Sequence, residues 1–145
     1  MKAVIQRVKD AELSVDGKKI SAIGFGLVVF LGIKCGDSDD LSDKFAYKVS
    51  HLRIFEDENG KMNRSVLDVG GQVLLVSQFT LYGDTSHGNR PSFSGAEAPE
   101  RAEELYLLCA KKLRDAGLSV ELGVFGADMK IRQLNDGPVS IIMEF

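Results

Sequence analysis

The spacing of apolar positions changes along the chain and divides it into predicted strands and helices. Residues 2–8 are mostly apolar with Gln6 and Arg7 embedded. Residues 11–15 lead into Asp16-Gly17, whose two positions tolerate positive φ, so a hairpin turn is expected there. Residues 18–23 supply the return strand. Leu27–Ile33 is an unbroken β-branched and aliphatic run, the pattern of a strand covered on both faces. Ser38 or Asp39 is then placed to cap a helix whose apolar positions Leu41, Phe45, Val49 and Leu52 recur at helical spacing. Asp57-Glu58-Asn59-Gly60 reads as a turn.

The second half follows the same logic. Gln72–Phe79, after Gly70-Gly71, reads as a central strand through Val73, Leu74, Leu75 and Val76. Residues 83–98 hold Gly83, Gly88, Pro91, Gly95 and several serines without periodicity, a long loop of the kind that often carries function. Pro99 opens a second helix with a stripe of Ala102, Leu105, Leu108 or Cys109, and Leu113, and Gly117 stops it. Strands follow at about 118–125, 128–134 and 139–144, with Asn135-Asp136-Gly137-Pro138 read as a turn between the last two. The order predicts an α+β domain with a largely antiparallel sheet or barrel and two main helices, one domain over residues 1–145.

Composition narrows the classes. The 145 residues are 44% hydrophobic and 27% charged, which excludes general disorder. The formal charge of -3 argues against coating nucleic acid by bulk electrostatics, though not against touching a few phosphates. Cys35 and Cys109 are far apart and form no CxxC, so neither a disulfide framework nor a zinc site is expected, and a reducing cytoplasm fits. The start, Met1-Lys2-Ala3-Val4-Ile5-Gln6-Arg7, meets charge too early for a signal peptide. No apolar run approaches a membrane span.

Generic catalytic signatures fail. Gly24-Phe25-Gly26 lacks the third glycine of a dinucleotide fingerprint, and neither a P-loop nor HExxH occurs. His51 and His87 are the two histidines. A Ser77–His87 nucleophilic pair is conceivable, but Ser77 lies in Val76-Ser77-Gln78 and not in a G-x-S-x-G elbow. Two segments stand out. Ser77-Gln78-Phe79-Thr80-Leu81-Tyr82 sets three hydrogen-bonding side chains at the end of an apolar strand: either a strand running into solvent or a polar pocket floor able to stabilise an oxyanion. In Asn135-Asp136-Gly137-Pro138-Val139-Ser140 the Gly-Pro bond is a candidate cis peptide, which would face two carbonyls the same way and offer acceptors to an ammonium group.

These two segments resemble the signature motifs of the D-aminoacyl-tRNA deacylases, SQFTLY and NxGPV[T/S]. The start of the chain, Asn63 with Ser65–Gly71, Gly88–Phe93 and Phe125–Met129 are also similar to the family, so the resemblance covers essentially the whole length. Ser140 stands where Thr is more usual; both carry a hydroxyl. The resemblance implies a homodimer that hydrolyses the ester between a D-amino acid and the 3′ end of tRNA in the cytoplasm, without cofactor, metal, DNA or membrane. It implies catalytic positions at Ser77, Gln78, Phe79 and Thr80, and substrate-binding positions at Gly137, Pro138, Asn135, Arg7, Met129 and Phe125. Gly137-Pro138 of one subunit would enter the other's pocket, bind the α-amino group and reject L-aminoacyl substrates, with Arg7 as its buttress. Glycyl-tRNA, including glycine mischarged on tRNA(Ala), would be accepted. Thr80 as nucleophile and a water assisted by the substrate's 2′-hydroxyl remain alternatives, the second favoured because no base is evident beside Thr80. The competing classes are a non-catalytic binding module for RNA ends or small ligands, and a serine esterase acting through Ser77.

Overall fold

The computed structural model describes all residues, 1–145. The first strand, β1 (Lys2–Val15), is long enough to serve two partners on one edge. Its first half pairs antiparallel with β3 (Gly26–Gly32) and its second half with β2 (Lys18–Ile23). The hairpin between β1 and β2 turns at Asp16 and Gly17, with φ of 51° and 75°, as the dipeptide predicts. The other edge of β1 pairs with β8 (Met129–Glu144) from end to end. β4 (Phe55–Glu56) and β5 (Met62–Arg64) form a separate small antiparallel pair, whereas β3 continues to β6 (Gln72–Ser77) and β6 to β7 (Ser119–Leu122), both in parallel.

The sheet is therefore mostly antiparallel, with two parallel pairings. Each parallel step has a helical crossover: α1 (Leu41–Ser50) lies between β3 and β6, and α2 (Pro99–Asp115) between β6 and β7, as parallel neighbours require. β2 comes round to touch β6 and β7, so the sheet is nearly closed.

The unbroken apolar run of β3 is explained by two cores. Leu27, Val29 and Leu31 face the helices, where they meet Phe45, Val49, Leu105, Cys109 and Leu113. Val28 faces the inside of the curled sheet with Val8, Leu13, Leu74 and Val76. Gly26 permits the β3–β6 approach, because a Cβ there would stand 1.9 Å from the Gln72 carbonyl oxygen.

Three local expectations are corrected. Neither Ser38 nor Asp39 caps α1: the cap position is Asp40, without a side-chain cap bond. The Asp39 carboxylate is held instead by Arg101 of α2. β6 ends at Ser77, and Phe79–Tyr82 form one turn of 3-10 helix. Asn135–Pro138 is not a reversal between two strands. β8 runs straight through it on the same edge of β1, where Gln6 pairs with Ser140 and Val8 with Asn135, so residues 136–139 stand opposite the single residue Arg7. A reversal would have put the two halves beside each other; here the extra residues are thrown outward as a bulge.

Candidate functional site: the pocket at the end of the central strand

The turn after β6 is forced by the ladder running out. Gln78 N–H donates to the Leu31 carbonyl at 2.8 Å, the last bond of that edge, and the chain then coils into the 3-10 turn. Ser77, Gln78 and Phe79 thereby line one wall of a cavity of about 530 Å³. The opposite walls come from Ala102 and Tyr106 of α2, from the segment 125–129 and from Ile131. Phe79 is 57% exposed and packs edge-on against Phe93 of the long loop, with ring centroids 5.1 Å apart. The lining is mainly apolar with a few polar groups, the composition of a small-molecule site.

The polar groups are fixed in different ways. Tyr106 donates its hydroxyl to the Leu75 carbonyl at 2.8 Å, and burial pushes the phenol up to about 12, so it stays neutral. Glu97 accepts N–H bonds from Gly36 and Ala98, which hold its carboxyl below its ordinary range. Asp128 pairs with Lys130 at 2.9 Å. Thr80, exposed, accepts the Gln78 side-chain amide on its hydroxyl. The amide thus fixes the polar end of the turn.

No nucleophile–base pair forms in the cavity. His87 Nδ1 lies 2.8 Å from Ser86 Oγ, and His51 Nδ1 is engaged with Ser50 and Tyr47 on α1. The conceivable Ser77–His87 pair is therefore not made, and neither histidine lines the cavity.

Of the residues singled out in the sequence, Ser77, Gln78, Phe79, Phe125 and Met129 line this cavity, whereas Thr80, Asn135, Gly137, Pro138 and Arg7 do not. The last four meet at the bulge. The Gly137–Pro138 peptide is cis. Arg7, only 5% exposed, donates Nε to the Asp136 carbonyl at 3.0 Å and Nη1 to the Ile54 carbonyl at 2.6 Å. Its guanidinium also lies 3.2 Å from the Asp136 carboxylate, which Lys9 approaches at 3.2 Å from outside. A buried guanidinium bridging two distant backbone carbonyls fixes the bulge to the body of the fold. Sequence reading missed Tyr106 and Glu97 as lining residues. Tyr106 lies four residues after Ala102 on the buried stripe of α2, which is the signal that could have found it.

The fold and the pocket define a class, an α+β domain with a nearly closed sheet and a cavity at a strand end, and comparison with known proteins identifies the family. The family model described as D-Tyr-tRNA(Tyr) deacylase matches residues 4–144. A D-aminoacyl-tRNA deacylase of Paracoccus denitrificans is 58% identical over 99% of this chain and 97% of its own length. Another from Halalkalibacterium halodurans is 51% identical over 99% of both. Among solved structures, one described as c-Myc DNA Unwinding Element Binding Protein superposes with a TM-score of 0.94 at 43% identity, covering 100% of this chain and 99% of that one. A probable eukaryotic D-amino acid tRNA deacylase superposes at 0.87 with 18% identity, over 98% and 97% of the two chains, and shows the shared fold. The chain belongs to the D-Tyr-tRNA(Tyr) deacylase family and is, with that family, a hydrolase.

Proposed function

We propose that the cavity binds the 3′-terminal aminoacyl-adenosine of D-aminoacyl-tRNA in the cytoplasm and hydrolyses its ester, releasing D-amino acid and tRNA. The observation that carries this reading is a pocket with aromatic walls and a hydrogen-bonding floor at Ser77–Phe79, without a nucleophile–base pair. An aminoacyl ester is already activated, so positioning and stabilisation of the developing oxyanion suffice. Ser77 and the backbone around Phe79 and Thr80 supply donors, and a water assisted by the substrate's 2′-hydroxyl attacks. Phe79, Phe93 and Phe125 offer faces on which the terminal adenine stacks.

We further propose that the working unit is a dimer in which the 136–139 bulge of one subunit completes the other's pocket. Two features support this. The bulge does not line the pocket of its own chain. The sheet face beside it carries an apolar patch of neighbours, Val4, Phe30 and Ile142, with Ile142 69% exposed, suited to a second copy. The Gly137 and Pro138 carbonyls then hold the α-amino group, and an L-substituent collides with the Gly-Pro wall. Glycine, having no substituent, is accepted.

Incubation with D-tyrosyl-tRNA tests the activity. The expected result is release of D-tyrosine, unchanged by EDTA, with glycyl-tRNA also eroded at higher enzyme. An ester left intact or protected would show a binding module, covalent labelling of Ser77 by a phosphonate with loss of activity would show a serine esterase, and loss of hydrolysis to EDTA restored by zinc would show a metal site.

A further inference from the structure

The bulge in β8 poses a mechanical problem. Four residues opposite one leave 136–139 without a pairing partner on β1, although the two ends, Asn135 and Ser140, are paired with Val8 and Gln6. Arg7 fixes the Asp136 carbonyl, but neither end. The ends, Asn135 and Ser140, are joined by side chains. Gln6 donates Nε2 to Ser140 Oγ at 3.0 Å, and its Oε1 accepts Gln133 Nε2 at 2.7 Å. The second Gln133 Nε2 hydrogen goes to Asn135 Oδ1, also at 2.7 Å. A continuous strap, Asn135–Gln133–Gln6–Ser140, thus spans the gap.

The Gln133 amide nitrogen stands between two acceptor oxygens, Gln6 Oε1 and Asn135 Oδ1. The Gln133 Oε1 is itself buried without a partner. An orphaned buried acceptor is unfavourable, so the two donated bonds hold the amide in place against that cost. Gln6, meanwhile, is a half-buried polar residue between Ile5 and Arg7 in an otherwise apolar strand start, a position at which strand packing alone calls for no amide.

We infer that Gln6 and Gln133 are positioning residues for the chiral selector: their amide strap sets the width of the bulge and so the place of the Gly137 and Pro138 carbonyls. The inference rests on the reading of the bulge as the element that selects D-aminoacyl substrates. It assigns Gln6 no contact with substrate.

Gln6→Met keeps length and volume but removes both bonds. The expected result is a fall of about tenfold in the ratio of D-tyrosyl- to L-tyrosyl-tRNA hydrolysis, with a displaced Gly137 amide resonance. Gln6→Glu, whose carboxylate accepts from both Gln133 and the Ser140 hydroxyl, restores most of the ratio and returns the Gly137 resonance toward its wild-type position; a purely structural residue would lower both rates together and leave the ratio alone. Ser140→Ala, a milder cut in the same strap, gives the same change at smaller size and serves if Gln6→Met does not fold. An unchanged ratio and an unmoved Gly137 resonance, in a wild type that does discriminate, overturn the strap alone. Equal hydrolysis of both esters by the wild type overturns the reading of the bulge and the strap with it.

Discussion

At the scale of single residues, the pocket floor separates positioning from nucleophilic attack. The Thr80 hydroxyl is already bonded to the Gln78 amide, and Ser77 has no histidine beside it. Ser77→Ala and Thr80→Ala are each expected to cost about 1 kcal/mol of transition-state stabilisation, roughly fivefold in kcat/KM. A loss of several orders of magnitude, or an acyl-Thr80 adduct by mass spectrometry, would contradict this. Arg7 is the opposite case, a buried cation whose removal strands the Asp136 and Ile54 carbonyls. Arg7→Ala is expected to cost about 2–3 kcal/mol in chemical denaturation, at the low end for broken buried pairs because Lys9 still serves the Asp136 carboxylate. Arg7→Lys does not restore it, since a single ammonium cannot span both carbonyls. Wild-type stability in the lysine variant would show that charge alone matters there.

At the scale of elements, most of the fold is legible because its signals are local. Asp16-Gly17, the apolar run of β3, Pro99 at the start of α2 and Gly117 after it each decide their own neighbourhood, and both helices and the strands β1, β2, β3, β6 and β7 fall within a few residues of expectation, whereas the short pair β4 and β5 is not among the elements expected. Signals that depend on a distant partner are not legible. Whether Asn135–Pro138 reverses the chain or bulges is decided by β1, which holds both halves of β8 on one edge. Asp39 gives up capping because Arg101, on another helix, takes its carboxylate. The pocket shows the same division: the Ser77–Phe79 floor is visible as polar residues ending an apolar strand, whereas Glu97 is placed by two backbone N–H groups that no local pattern announces. The close approach of β3 and β6 is also testable. Gly26→Ala would put a methyl into the Gln72 backbone and is expected to destabilise the protein by about 3 kcal/mol or to prevent its folding. A thermal midpoint within a degree of wild type would refute the β3–β6 packing described.

At the scale of the whole molecule, stability has two pH limits of opposite sign. Asp57, Asp68, Asp84 and Glu97 are held below the ordinary carboxylate range, each chiefly by backbone N–H bonds. Their stabilisation is present above the unfolded value near 4 and is lost as pH falls through the lower folded values. The buried Cys109 thiol is pushed up to about 12 by desolvation. Its contribution is complete below the unfolded value near 9 and is lost as pH rises from there towards 12. Denaturant midpoints are therefore expected to be flat between about pH 5 and 8 and to fall on both sides. Asp68→Asn should lower the neutral plateau and shrink the acid-side fall, and a midpoint that rises on acidification would contradict the assignment.

If one chain's bulge selects substrate for another chain's pocket, mixed dimers of two defective variants recover an activity that neither has alone. One variant, Gln78→Ala with Phe79→Ala, has a damaged pocket and an intact bulge; a second, lacking residues 136–139, has an intact pocket and no bulge. Each alone is expected to be inactive on D-tyrosyl-tRNA. Co-refolded in equal amounts, half the dimers carry one complete site of two, so about a quarter of wild-type activity returns, still selective against L-tyrosyl-tRNA. A mixture no more active than its parents, or a bulge-deleted homodimer that keeps its D-selectivity, would show that the bulge does not serve a neighbouring pocket.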